Sequence, residues 1–128
     1  MTAYRPALIV HLIHVLLCII WNGVGLWQQA HGLKTIGPTA SWGAIGFVIL
    51  LGAGLIMLSR KGPPLGFLAL SAVGMLLAVV AIHGGLTKDA SNWPSEFWRW
   101  AGIVVNSFGV IGFLLALATY LQRKSTIS

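Results

Sequence analysis

Residues 7–29 read ALIVHLIHVLLCIIWNGVGLWQQ, an apolar run whose polar side chains fall on one side only. Those residues are His11, His14, Cys18, Asn22 and Gln29, with Gly25 among them, at spacings of 3, 4, 4, 3 and 4. At about 100° per residue they occupy an arc of roughly 80° on a helix. Polar groups are costly in hydrocarbon, so a helix surrounded by lipid has no reason to align them. A helix that turns them toward protein neighbours or an internal cavity does. The stretch therefore predicts a transmembrane helix with a polar seam facing inward.

The rest of the chain fits that setting. Of its 128 residues, 57% are hydrophobic and 8% charged, where soluble domains carry about 25% charged residues. Four apolar runs, at about 7–28, 41–59, 65–84 and 99–121, leave no space for a soluble domain. Each has about 20 residues, enough to cross a hydrocarbon core of about 30 Å. The expected fold is all-α: one integral membrane domain over 1–128, an antiparallel four-helix up-down bundle.

The net charge of +6 does not point to nucleic acid, because the basic residues are scattered at helix ends. Arg5, Arg60, Lys61, Arg123 and Lys124 fall on one side of the spans. Lys34, Lys88 and Arg99 fall on the other, offset by Asp89 and Glu96. This bias predicts the cell (inner) membrane with both termini in the cytoplasm. Trp27, Trp42, Trp93, Trp98 and Trp100 fall at the outer boundary, and Trp21 lies deeper.

Further stripes follow the helical period. The second helix aligns Gly43, Gly46, Leu50, Gly54 and Met57. The third aligns Phe67, Ser71, Gly74 and Ala78, and the fourth Arg99, Gly102, Asn106, Gly109, Phe113 and Tyr120. Small residues on facing stripes let membrane helices approach closely, so these stripes are expected to pack. Counting about 1.5 Å per residue from the inner edge puts Asn22 and Asn106 at one depth of roughly 22 Å. The two amides are expected to pair directly or through water, as interhelical glue or as a headgroup site. The candidate ligand-binding set is His11, His14, Cys18, Asn22, Asn106, Arg99 and Tyr120.

An imidazole within a span can ligate haem, hold a quinone carbonyl or relay protons. Two histidines three apart on one helix cannot clamp a haem from both faces, and Met57 is the sole partner at a matching depth. His31, His83 and Asp89 form the thinnest of metal sets, at the outer surface. Cys18 is the single cysteine, so there is no cysteine metal motif and no intrachain disulfide. No carboxylate falls within a span, which removes the usual carrier of proton-coupled pumping. No nucleophile triad and no phosphate-binding glycine loop is present.

The expected role is therefore non-catalytic: a partner or accessory subunit of another membrane protein, or of itself as an oligomer. An aromatic outer loop with Trp93, Phe97, Trp98 and Trp100 would make the contact. The alternatives are a quinone- or haem-binding electron-transfer anchor, resting on His11 and His14, and a small oligomeric channel or transporter, resting on the seam itself.

Overall fold

The computed structural model describes residues 2–127. Four helices make the fold: α1 (Arg5–Ala30), α2 (Trp42–Lys61), α3 (Pro64–Thr87) and α4 (Glu96–Ile127), preceded by one 3-10 turn at Thr2–Tyr4. A second 3-10 turn, Ala90–Asn92, lies between α3 and α4. All four helices are long and apolar enough to cross a membrane. They form a ring in which each packs against its neighbours in sequence and α4 closes onto α1. The α3–α4 pairing is the most extensive and the α2–α3 pairing the least. The end with both termini and the α2–α3 turn is the terminal end. The opposite end, with the two longer connections, is the loop end.

Local chemistry sets the boundaries. Pro6 and Pro64 stand in the first turns of α1 and α3, where a missing N–H costs nothing. The Ser41 side chain caps α2 by accepting from the Ala44 N–H at 3.0 Å, and Arg60 and Lys61 suit the negative end of its dipole. Gly32 stops α1 at φ 66°, with Leu33 N–H bonded to Gln28 C=O at 2.9 Å and Gly32 N–H to Gln29 C=O at 3.1 Å. That is a Schellman motif, which glycine completes without strain. The fourth helix runs beyond the expected Leu121, because no glycine or proline follows to end it.

At the terminal end Tyr4, Ala7, Leu51, Leu55, Phe67 and Ala116 form a dry cluster drawn from every helix. The Tyr4 and Phe67 rings lie 4.8 Å apart. The third-helix stripe of Phe67, Ser71, Gly74 and Ala78 is buried as expected. Of the second-helix stripe only Gly54 meets a neighbour closely, where a Cβ would stand 2.7 Å from Leu70 of α3. Gly43, Gly46, Leu50 and Met57 lie on the outward face, with Leu50 73% and Met57 64% exposed. Leu51, Gly52, Leu55 and Ser59 face inward instead. The two faces of α2 are almost equally apolar, and lipid accepts either, so its pattern of small residues did not fix its rotation.

Candidate functional site

The polar seam of α1 divides into two parts. In the first, His11 and His14 are buried, with 0% and 4% exposure. His11 Nε2 and Ser71 Oγ share a hydrogen bond of 2.5 Å across the bundle, α1 to α3. His14 Nε2 donates to Asn106 Oδ1 on α4 at 3.4 Å. Each ring is seated on a glycine of α4. A Cβ at Gly112 would come within 2.8 Å of the His11 ring, and one at Gly109 within 2.7 Å of the His14 ring. Histidines three apart thus fit glycines three apart on the antiparallel neighbour. Nδ1 of both rings, like the Tyr4 hydroxyl, is buried without a hydrogen-bond partner among the described residues. Haem does not fit here: a ring face of each histidine is taken by α4 backbone, and Met57 lies on the outward surface.

In the second part, the seam holds the first connection down. Asn22 Oδ1 accepts from the Ser41 N–H at 3.1 Å, and Gln28 Oε1 from the Ile36 N–H at 2.8 Å. Gln29 Nε2 donates to Ala40 C=O at 3.4 Å, although Gln29 itself is exposed. Gly25 is buried beneath Ala40, and the Trp21 ring lies on Gly37 and Gly102. The expected direct pairing of Asn22 with Asn106 is absent. Asn22 Nδ2 donates back to Cys18 C=O at 2.9 Å and its oxygen holds the loop, while Asn106 Nδ2 donates to Gly102 C=O at 2.8 Å and its oxygen meets His14. Equal depth did not ensure facing side chains, because the loop backbone supplied a nearer donor.

Below that loop lies a cavity of about 470 Å³ between α3, α4 and the first connection. Leu77, Val80 and Ala81 of α3 and Ile103 of α4 make its apolar wall. Trp21, Trp93, Asn106, Arg99, His83 and Lys88 supply its aromatic and polar groups. Of the candidate ligand set, Asn106 and Arg99 line this cavity, whereas His11, His14, Cys18, Asn22 and Tyr120 do not. Cys18 and Tyr120 are half-buried elsewhere. Sequence reasoning missed Trp21 and Lys88 as lining groups; the depth of Trp21 among otherwise peripheral tryptophans was the available signal.

Arg99 is first a structural cap. Its Nε donates to Gly85 C=O at 2.6 Å and one terminal nitrogen to Leu86 C=O at 3.2 Å. Its other terminal nitrogen pairs with Glu96 at 3.2 Å. A guanidinium on the last carbonyls of α3 suits that helix's negative end. The aromatic loop divides likewise. Trp93, expected as a partner contact, is buried and lines the cavity. Trp98 is half-buried, edge-on to Trp21 at 6.0 Å. Phe97 and Trp100 remain exposed. At the loop surface, hydrogen bonding from the Ser91 side chain and then its backbone N–H holds the Asp89 carboxyl below its usual pKa. His31 donates from Nδ1 to Trp27 C=O at 2.8 Å, and among the described residues no three His, Cys, Asp or Glu side chains gather as a metal set. No family model, no curated protein and no solved structure matches this chain.

Proposed function

We propose that this protein is a non-catalytic membrane subunit that holds a lipid-soluble molecule in its loop-end cavity. The cavity itself carries the reading. Its volume, about 470 Å³, lies in the range of small-molecule sites, and its few polar groups converge on an apolar wall. Val80, exposed on α3, extends that wall to the bilayer-facing surface, so an occupant's apolar part has a way in from lipid. Elsewhere imidazoles pack on glycines in the middle of the bundle and the Tyr4–Phe67 cluster packs the terminal end. With the cytoplasmic termini that the basic residues favour, the cavity opens in the outer half of the cell membrane. Phe97 and Trp100, exposed beside it, are the aromatic anchors left for a partner protein.

The test is chemical. Protein purified in mild detergent is extracted with organic solvent, and the extract is quantified by mass spectrometry beside that of Ala81→Trp. Ala81 is exposed and lines the cavity, so the indole fills the site without entering the helix contacts. An amphiphile near one per chain is expected from the parent protein and a several-fold lower amount from the variant. Equal amounts from both, or none from the parent, would overturn the proposal.

A further inference from the structure

Several of the cavity's polar groups are donors with no acid beside them in the lining. Four α3 carbonyls at this end are occupied: His83 C=O by the Thr87 hydroxyl at 2.7 Å, Gly84 C=O by the Lys88 N–H at 3.0 Å, and Gly85 and Leu86 C=O by Arg99. Asn106 Oδ1 already meets His14. Among the described residues the Lys88 ammonium and the Trp21 indole N–H meet no acceptor, and the Arg99 guanidinium keeps N–H groups beyond the bonds it makes. Two cations line the cavity and neither of the chain's two acids does. Glu96 offsets one of them, since it pairs with Arg99 from an exposed position outside the lining.

Resting on the cavity reading above, we infer that the occupant is an amphiphile with an anionic oxygen headgroup, a carboxylate or phosphate on an acyl tail. The headgroup sits between Lys88 and Arg99 at the rim, and the tail lies along Leu77 and Val80 toward the bilayer. A headgroup of acceptor oxygens alone uses what the site leaves free. A hydroxyl headgroup would leave the Lys88 and Arg99 charges without a counter-charge in the lining. A cationic amphiphile would meet two like charges with no carboxylate to offset them in the lining.

Native mass spectrometry of the full chain in a non-ionic detergent tests this with three probes: phosphatidylglycerol, palmitate and diacylglycerol. At least one anionic probe is expected to bind more tightly than diacylglycerol, and the two anionic probes separate a phospholipid source from a fatty-acid source. Lys88→Gln should weaken the anionic probe about fivefold, the worth of one lysine near a membrane surface, and leave diacylglycerol unchanged. Ala81→Trp should abolish the binding of whichever probe occupies the cavity. If diacylglycerol binds as tightly as the anionic probes and Lys88→Gln changes nothing, the cavity reading stands and the anionic headgroup is refuted. If Ala81→Trp changes no probe's binding, the headgroups are held at the surface and both readings fall.

Discussion

The polar residues of α1 serve different ends in its two halves, imidazoles in one and amides in the other. Toward the terminal end, His11 and His14 contact side chains and glycine backbone of other helices. Toward the loop end, Asn22 and Gln28 contact the backbone of a connection, and a cavity remains beneath it. A helix-to-helix bond fixes two rigid elements at once. A helix-to-loop bond fixes a segment that has no helical hydrogen-bond ladder of its own, so the loop end is expected to open more readily than the helix contacts. Asn106 stands at the border, bonded to His14 on one side and lining the cavity on the other.

The contrast breaks most severely at the histidine seats. In Gly112→Leu even the first carbon of the new side chain would stand 2.8 Å from the His11 ring. Neither the α4 backbone nor a ring held by Ser71 can retreat, so overpacking should cost about 3 kcal/mol. Gly23→Leu, on a different face of α1 with nothing within 4 Å of its Cβ, is the matched control. Unfolding midpoints in detergent should fall sharply for the first and stay near the parent for the second. Equal midpoints would mean that the imidazoles are not seated as described.

A smaller effect separates the His11–Ser71 bond from the packing around it. His11→Leu leaves the Ser71 hydroxyl buried with no imidazole, at about 1–3 kcal/mol. In a Ser71→Ala background the same change should cost less, since nothing polar is stranded. The coupling read from the double-mutant cycle should be about 0.6 kcal/mol, and no more than about 2, the range for bonds between membrane helices. A coupling of zero would reduce the pair to two neighbours that merely touch.

How far the sequence carried this picture depended on what kind of constraint each residue bears. His11 and His14 could be read as inward-facing because lipid rejects them, and Ser71 and Gly74 because they share a period with Phe67 and Ala78. The glycine seats were readable only as close packing; that Gly109 and Gly112 receive two particular imidazoles depends on helix register, which no periodicity reports. Gly46 and Leu50 show the limit from the other side, because an apolar helix between lipid and protein has two acceptable faces. At the loop end, the role of Asn22 was hidden because its partner is a backbone N–H, identical at every residue type. Arg99 was readable as a cation at a boundary, but its bonds to Gly85 and Leu86 depend on where α3 ends relative to α4.

The loop clamp gives the smallest change in stability and the sharpest local one. Asn22→Leu removes the acceptor for the Ser41 N–H at the start of α2, while Ser41 itself still caps that helix through its hydroxyl. The global cost should be about 1 kcal/mol, the worth of one such bond. The connection up to Ser41, however, loses one of the three side-chain bonds that tie it to α1. Lys34 is exposed within that connection, so trypsin reports its opening directly. Cleavage after Lys34 should accelerate in Asn22→Leu by more than the global destabilisation accounts for, whereas Gly112→Leu should accelerate it only as the whole bundle unfolds. If both variants cleave in proportion to their unfolding midpoints, the seam is one cooperative unit and its two parts do not differ in stability.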